Sequence, residues 1–348
     1  MTLTDVTPVE DSLGNGHSLG AASNGTCYAS RHLGLNFAGP FALGDPLPDG
    51  SPTDVTLSVE PSRPIAEDPP GPTLAGMVVR GEEIYTLYSV SDGYVFRFHG
   101  LCEFHVSEDG SAVRCYPGPR TDEGFLHVLM GGAIAALLVG LRGRAVLHAS
   151  AVRSGHDTIV FAGASGMGKT TAAALCCAAG ARFISDDVVS LEDGPGGIAC
   201  VGLGSELRLR EQAMGIADLF PPPPLVRRMT ADGRLAVKPL RPGQERNVIS
   251  VVVLPRPVRG SEHVTVRRLR PSESVAVLLG NARIPDMVPP DWQRTHFQMV
   301  ANLAAGVPVL EARVPWGPPF STAVAAELLR LASEAARTTP RSSRLRLS

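Results

Sequence analysis

A glycine-rich segment at residues 163–171, with the sequence GASGMGKTT, constrains the fold of this chain more than any other feature. It fits the pattern G-x-x-x-x-G-K-[ST], whose fixed positions are held by Gly163, Gly168, Lys169 and Thr170. In that pattern the N–H groups of a glycine loop and the N-terminus of the following helix converge on phosphate groups. The segment therefore predicts a phosphate-binding loop, and a chance glycine-rich turn is the alternative interpretation.

The residues on either side favour the phosphate-binding interpretation. Residues 158–162 form an apolar run that predicts a buried strand, and the alanine-rich residues 171–179 predict a helix that ends at Gly180. Strand, glycine loop and helix in this order are the context that a nucleotide-binding loop requires. We expect all residues of the loop to contact the nucleotide, namely Gly163, Ala164, Ser165, Gly166, Met167, Gly168, Lys169, Thr170 and Thr171.

The composition narrows the class of protein. At 348 residues the chain can form one large domain or two smaller ones. Its net charge of −2 indicates neither a nucleic-acid nor a membrane partner. The six cysteines form no C-x-x-C pair and no metal-ligand spacing, and residues 1–24 lack the basic start and apolar run of a secretory signal. We therefore expect a reduced, cytoplasmic protein.

Residues 125–141 are nearly all apolar and resemble a membrane span at first sight. Crossing a bilayer takes about 20 apolar residues, and this shorter run contains His127, Gly131 and Gly132. We expect a buried helix over residues 122–141, packed under the nucleotide-binding domain.

Composition and periodicity divide the chain into four segments. Period-two runs predict a small antiparallel sheet in the second segment, and its aromatic residues are expected in the sheet core, with a recognition surface as the alternative: Tyr85, Tyr88, Tyr94, Phe96 and Phe98. The four segments are a disordered tail at 1–26, a β-rich N-terminal domain at 27–120, a nucleotide-binding domain at 121–336 and a disordered basic tail at 337–348.

Two carboxylates follow a predicted strand at residues 182–185, which we expect to lie beside the strand that leads into the glycine loop. Asp186 and Asp187 point in different directions, so one can hold a metal ion while the other accepts a proton. Lys169 is expected to reach the β- and γ-phosphates, and the hydroxyl of Thr170 to bind Mg²⁺. The alternative is a strand that simply ends in acidic turn residues.

His148 lies in an apolar run at residues 145–150 that predicts one continuous strand. A single histidine in such a strand is more often a core residue with its hydrogen bonds satisfied than a functional one. Burial habits alone therefore favour a structural role for His148.

Three segments together resemble the catalytic core of the HPr kinase/phosphorylase family, which shares its kinase core with phosphoenolpyruvate carboxykinases. They are LHASAV at 147–152, GASGMGKTT at 163–171 and FISDD at 183–187, and their order and spacing match the family. The resemblance covers residues 145–210 well and the rest only in outline. It implies an α/β fold with a phosphoenolpyruvate carboxykinase-like P-loop core and a mixed sheet, plus a small β-rich N-terminal region.

The resemblance also implies an activity. In that family the loop binds ATP, and a carboxylate of the Asp pair activates the acceptor serine as general base. Carried onto this chain, Asp186 is the candidate base and Asp187 the metal-side or orienting carboxylate, with the reverse order left open. Lys169 then contacts the phosphates, Thr170 and Asp187 contact Mg²⁺, and His148 orients or tunes the base. The implied cofactors are ATP and Mg²⁺.

The chain also departs from the family. The E-x-R-G-x-G-like signature tied to phosphorylase activity is reduced to Glu206, Arg208 and their neighbours, without the glycines, which argues against a bifunctional enzyme. We expect Arg208 and Arg210 to be exposed strand arginines, with a contact to phosphate as the alternative. The N-terminal region resembles more loosely the sheet domain of kinase-related homologues from peptide-modification gene clusters.

The expected function is therefore an ATP-dependent kinase that phosphorylates a hydroxyl, most plausibly a serine, on a peptide or small protein. Two alternatives stay open: an ATPase or nucleotide-dependent switch in which water is the acceptor, and a non-catalytic scaffold that binds ATP. The resemblance favours an assembly of several copies, although no interface is visible in the sequence.

Overall fold

A computed structural model describes residues 27–221, 226–239, 246–283 and 290–338. The predicted tail at 1–26 and the predicted tail from residue 339 onward lie outside the described residues. The chain is a mixed α/β protein with mixed sheets, as expected. It divides into two compact units: the first contains residues up to Ser30 and Asn36–Thr121, and the second contains Arg31–Leu35 and the residues from Asp122 onward.

The first unit is built on a nine-stranded sheet with the order β3-β1-β2-β4-β9-β8-β7-β6-β5. Its strands are β1 Tyr28–His32, β2 Leu35–Gly39, β3 Asp45–Pro46, β4 Val55–Val59, β5 Thr73–Val79, β6 Glu82–Val90, β7 Gly93–Phe98, β8 Cys102–Ser107 and β9 Ala112–Pro117. The prediction of a small antiparallel sheet was wrong, because β4 pairs in parallel with both β2 and β9. Periodicity reports that a residue run is a strand, but it does not report the direction of the neighbouring strand.

The aromatic residues of this sheet belong largely to its core. Phe96 and Phe98 are buried and stack with their ring centroids 4.7 Å apart, and Tyr88 is buried as well. Tyr85 is half-buried and meets Phe96 edge to face at 5.3 Å. The core interpretation is confirmed for these residues.

The second unit begins with the apolar helix. It is interrupted where a continuous helix was expected: α1 Glu123–Leu129 is followed by a π-helical turn, Met130–Ile134, and by α2 Ala135–Leu141. Asp122 caps the start by accepting a hydrogen bond from the N–H of Gly124. Within the described ranges, this is the single helix long and apolar enough to cross a membrane, and 72% of its most apolar window is buried, as in the core helix of a soluble protein.

The remaining elements of the second unit form a mixed sheet flanked by helices and a separate, antiparallel sheet of three strands. They are β10 Ala145–Leu147, β11 Ser150–Ser154, β12 Asp157–Phe161, α3 Lys169–Ala178, β13 Arg182–Ser185, β14 Val189–Glu192, β15 Ala199–Val201, β16 Leu207–Leu209, a 3₁₀ helix Glu211–Leu219, β17 Val226–Met229, β18 Leu235–Lys238, β19 Arg246–Val258, β20 Thr265–Arg268, α4 Pro271–Leu279, α5 Pro290–Gly306, β21 Val309–Pro315 and α6 Thr322–Thr338. The last helix runs through Arg337 and Thr338, which were expected to belong to the disordered tail.

The sheet of the second unit has the order β10-β14-β15-β19-β12-β11-β13, and β21 also pairs with β19. The chain leaves the sheet at His148 and Ala149, so the strand predicted over residues 145–150 is two strands with different neighbours. The strand before the Asp pair, β13, pairs with β11. The prediction that this strand lies beside β12 was therefore wrong, because the hairpin strand β11 separates the two.

The core lies on both faces of this sheet, and β12 contributes to both by alternation. Ile159 and Phe161 pack on the face covered by α3, α6 and the 3₁₀ helix. Val160 and Ala162 pack on the opposite face, with apolar residues of α4 and α5. Because both faces are covered, residues 159–162 are all apolar, and packing on both sides fixes the end of the strand where the glycine loop begins.

Candidate functional site

The glycine loop connects the end of β12 to the start of α3. Gly163, Gly166 and Gly168 have positive φ values of +139°, +81° and +81°, a backbone region that L-residues with a side chain rarely adopt. The helix starts at Lys169, two residues earlier than predicted, and no side chain caps its N-terminus. The N–H groups of the first helical turn are therefore suited to an anion.

Lys169 is drawn back into its own loop. Its side chain is buried, and Nζ donates hydrogen bonds to the carbonyl oxygens of Gly163 at 2.8 Å and Ala164 at 3.1 Å. Burial lowers the pKa of this ammonium to about 8, although the carboxylates of Asp187 and Asp186 act in the opposite direction. A negatively charged group bound in the loop would favour the protonated form of this desolvated lysine and raise its pKa again.

Asp186 is joined directly to the glycine loop. Its Oδ1 accepts hydrogen bonds from the hydroxyls of Thr170 at 2.8 Å and Ser150 at 2.6 Å, and its Oδ2 accepts one from the backbone N–H of Arg208 at 3.1 Å. Burial raises the pKa of Asp186, and the neighbouring charge of Asp187 adds to that rise. The contacts to its oxygens come from neutral groups, so no cation touches this carboxylate among the contacts described.

Asp187 has the opposite surroundings. It adopts a left-handed conformation with φ of +68°. Its Oδ2 accepts hydrogen bonds from Arg283 at 2.9 Å and Arg208 at 3.2 Å, and its Oδ1 lies 3.2 Å from Nε2 of His148. Burial alone would raise the pKa of Asp187, but Arg283, His148 and Arg208 hold it well below its usual range. Asp187 is therefore ionised, and both of its carboxylate oxygens contact donor groups.

His148 sits at the break between β10 and β11, where its backbone N–H donates to the carbonyl oxygen of Asn281 at 2.8 Å. Burial lowers the pKa of His148 to about 4, against the opposing effect of Asp187, so the ring is neutral near pH 7. Since an ionised carboxylate can only accept, Nε2 of the neutral ring carries the hydrogen toward Asp187 and Nδ1 keeps its lone pair. The ring of His148 therefore contacts one carboxylate of the predicted Asp pair.

Several residues at this site were missed or misjudged from the sequence. Arg208 was expected to be exposed, but it is buried and also contacts Asp232, with Nη1 to Oδ2 at 3.4 Å. Arg283 and Asn281 follow α4, where the chain runs antiparallel beside the end of β10. No motif marks these two residues, because only the sheet brings residues so distant in sequence to the loop.

Asn281 holds the first residue of the glycine loop. Its Oδ1 accepts a hydrogen bond from the N–H of Gly163 at 2.9 Å, and its Nδ2 donates to the carbonyl oxygen of Val277 at 2.6 Å. The π-helical turn also approaches the site, since a Cβ on Gly132 would lie 3.4 Å from Oδ2 of Asp187. π-helical turns occur often at functional sites.

Some of the oxygen atoms that were expected to hold a magnesium ion lie close together. Within the described ranges no group of three or more His, Cys, Asp or Glu residues could hold a metal ion. Mg²⁺ needs fewer protein ligands, because it is usually held by one or two protein oxygens together with substrate phosphates. The hydroxyl of Thr170 donates to Oδ1 of Asp186, so the described contacts favour the order of the two carboxylates that was left open, with Asp186 beside Mg²⁺.

The structure gathers the predicted residues Lys169, Thr170, Asp186, Asp187 and His148 at one end of the sheet. Arg210, by contrast, is exposed as expected. No protein-family model matches the chain, and no curated protein matches its sequence.

Proposed function

We propose that the second unit is an ATP-dependent kinase that transfers the γ-phosphoryl group to a hydroxyl, most plausibly a serine of a peptide or small protein. The observation that carries the proposal is the hydrogen bond from Thr170 to Asp186, 2.8 Å long. It joins a glycine loop of the phosphate-binding pattern to a carboxylate that follows β13, a strand of the same sheet that β11 separates from β12. Phosphoryl transfer needs these parts within a few ångströms of each other.

The resemblance to HPr kinases supports the same conclusion. It implies a phosphoenolpyruvate carboxykinase-like P-loop core, and a mixed sheet in which β12 pairs in parallel with β19 and antiparallel with β11 is compatible with that core. The resemblance also favours an assembly of several copies, and the six cysteines without a C-x-x-C pair favour a reduced, cytoplasmic protein, and we include both in the proposal.

The triphosphate would lie along the glycine loop, with the first N–H groups of α3 and Lys169 facing its oxygens. Thr170 and Asp186 would hold Mg²⁺, which, when bound, neutralises charge on the β- and γ-phosphates. Two features favour Asp186 for this role over Asp187: its bond to Thr170, and the absence of a cationic partner in its described contacts. The proposal thus takes the reverse of the order first favoured for the two carboxylates.

The acceptor hydroxyl would approach from the side of His148 and Asp187. Its oxygen forms the new bond to the γ-phosphorus, the bond from that phosphorus to the bridging oxygen breaks, and ADP leaves. The proton of the hydroxyl passes to the His148–Asp187 pair, whose titration is coupled through the contact between Nε2 and Oδ1. A weakly basic pair is sufficient, because little negative charge develops on the acceptor in a loose transition state. Arg208 and Arg283 keep Asp187 in place.

The proposal is tested by incubating the full chain with γ-labelled ATP and Mg²⁺, with and without serine-containing peptides encoded beside its gene. We compare the wild type with Lys169→Ala and with the control Lys238→Ala, since Lys238 is an exposed lysine of the same unit. We expect label on a peptide serine with the wild type and with Lys238→Ala, and none with Lys169→Ala.

Other outcomes count against the proposal. Free phosphate released at the same rate with and without every peptide would identify an ATPase. Thermal stabilisation by ATP without any turnover would identify a scaffold. Equal label with Lys169→Ala would remove the glycine loop from the reaction.

A further inference from the structure

An aromatic ring lies against the last glycine of the glycine loop. A Cβ on Gly168 would lie only 2.2 Å from a ring carbon of Trp316, so the indole occupies the space that any other residue at this position would need. Trp316 directly follows β21, and its N–H donates to the carbonyl oxygen of Val258 at 3.0 Å. The ring is thus anchored to the sheet and placed beside the start of α3.

The sheet explains why Trp316 reaches this place. Strand β12 pairs in parallel with β19, and β19 pairs in parallel with β21, so all three end at the same side of the sheet. The last residue of β12 pairs with Val253 of β19. Strand β19 continues beyond this point to Val258, which pairs with Pro315, the last residue of β21. The ends of β19 and β21 therefore run alongside the loop that follows β12.

The glycine loop consequently has two different flanks. Asp186 and Asp187 follow β13, which lies on the β11 side of β12, whereas Trp316 follows β21 on the β19 side. The first flank is charged and hydroxyl-rich. The second is aromatic, since Phe320 meets Trp316 edge to face with ring centroids 5.7 Å apart.

The orientation of the indole is held, but the ring is not fully enclosed. Trp316 and Phe320 pack against the cluster formed by apolar residues of α3 and α6. Trp316 is nevertheless only partly buried. The residues that follow it, Gly317, Pro318 and Pro319, include two prolines without an N–H donor, so an apolar contact is the interaction that this segment offers best.

We propose that Trp316 is the platform on which the nucleobase of the nucleotide stacks. This inference rests on the proposed function, because it assumes that the triphosphate binds along residues 163–170. With the γ-phosphoryl group at the charged flank, the nucleoside end of the molecule extends toward the other flank. Aromatic side chains bind bases of any sequence through their π-faces, and the loss of one such contact weakens binding measurably.

The test separates the base from the phosphates. The dissociation constants of Mg²⁺-ATP and of Mg²⁺ with inorganic tripolyphosphate are measured by calorimetry for the wild type, Trp316→Ala, Trp316→Phe and Lys169→Ala. We expect Trp316→Ala to weaken ATP binding by roughly tenfold while tripolyphosphate binding stays within about twofold, and Trp316→Phe to restore most of the ATP affinity. Lys169→Ala should weaken both ligands.

Failure of the inference differs from failure of the proposed function. Equal weakening of both ligands by Trp316→Ala would show that the ring only supports the loop, and unchanged ATP binding would show that it does not touch the base. Either result overturns the platform and leaves the kinase proposal intact. A wild type that binds neither ligand overturns both.

A second measurement does not depend on the folding of the alanine variant. Trp292 and Trp316 are the two tryptophans of the chain, so Trp316 is the sole tryptophan fluorophore in Trp292→Phe. A stacked base should quench this fluorescence when Mg²⁺-ATP is added, and tripolyphosphate should not. Identical responses to both ligands would contradict the inference.

Discussion

Two carboxylates with little exposed surface, one in each unit, are surrounded by the same kinds of partner: two arginines and a histidine. Glu103 contacts Arg97 at 2.7 Å, Arg63 at 3.0 Å and His105 at 3.4 Å. Asp187 contacts Arg283, Arg208 and His148 at 2.9 to 3.2 Å. In both cases burial would raise the pKa of the carboxyl, and the surrounding donors lower it instead, to about 2 for Glu103.

The two networks differ in how the backbone builds them. Glu103 lies within β8 directly opposite Arg97 of β7, and His105 is two residues further along the same face, so a regular antiparallel ladder brings these three together. Asp187 follows the end of β13 and has a positive φ itself. Its partners come from three separate parts of the second unit.

The lesson of this comparison is that a buried charge network alone does not mark a functional site. The network of Asp187 stands out because it adjoins Asp186, a carboxylate whose charge is disfavoured, and because Asp186 in turn contacts a glycine loop. Perturbed pKa values of opposite direction on adjacent groups, together with an unusual backbone conformation, are typical of functional sites.

The largest expected effect is that of Asp186→Asn. We expect phosphoryl transfer to fall by about a hundredfold to a thousandfold, since the carboxylate that we propose to hold Mg²⁺ is removed. The amide has one acceptor oxygen where the carboxylate has two, so it cannot accept from the two hydroxyls and from the N–H of Arg208 at the same time. Transfer of label measures the loss of activity, and a thermal melt checks that the variant is folded. Normal transfer in the folded variant would contradict the assignment of Asp186.

The next effect separates the two networks directly. Asp187→Asn and Glu103→Gln each remove the charge from a buried network, and each should lower the free energy of unfolding by about 3 kcal/mol. Transfer of label should be lost with Asp187→Asn and preserved with Glu103→Gln. Urea unfolding and the label assay on both variants test this. Loss of transfer with Glu103→Gln would show that the first network also serves the reaction.

Acid should weaken the second unit before the first. His148 has an ordinary pKa of 6.5 and a folded pKa of about 4, so its stabilising contribution, present above pH 6.5, is lost as the pH falls toward 4. This loss is on the order of 2–3 kcal/mol. The corresponding window for Glu103 runs from 4.5 down to about 2.

Hydrogen exchange of strand amides, corrected for the intrinsic pH dependence, follows each unit separately. Protection of β12 and β13 should decline between pH 6.5 and 4, while that of β7 and β8 should persist to lower pH. In His148→Gln the decline in the upper window should become smaller, and His296, whose pKa burial also lowers, accounts for the part that is left. A decline that is unchanged in this variant would assign the acid sensitivity to another group.

The smallest effect is a proton taken up by Lys169. Because burial lowers the pKa of its ammonium to about 8, Lys169 is about half protonated at pH 8, and a bound triphosphate should restore the full charge. Calorimetry in buffers of different ionisation enthalpy should then report an uptake of about half a proton per nucleotide. Lys169→Arg, which stays charged, should abolish the uptake. Equal uptake in this variant would point to a different group.

Local patterns in the sequence were sufficient for the elements around the site. Residues 158–162 predict β12, the alanine-rich run predicts α3, and three glycines in the loop adopt the backbone conformations that glycine alone adopts easily. The pairings were not predictable in the same way. The break at His148 and the insertion of β11 between β12 and β13 depend on a hairpin whose register no local pattern specifies.

The burial and the partners of the charged residues could not be predicted from local sequence patterns either. Arg208 looks like an exposed strand residue in the sequence, and only the buried carboxylates around it explain why it is inside. Arg283 contacts Asp187 from far along the chain, and no spacing rule connects the two.

The sequence by itself determined the glycine loop, the strand and helix that hold it, and the types of residue available for phosphate chemistry, because these depend on short-range patterns and on the conformational freedom of glycine. Only the tertiary structure decided which carboxylate contacts Thr170, which one the arginines hold, and that Trp316 lies against Gly168. These are contacts between segments distant along the chain. They follow from the order in which the strands pair, and strand order is a property of the whole sheet.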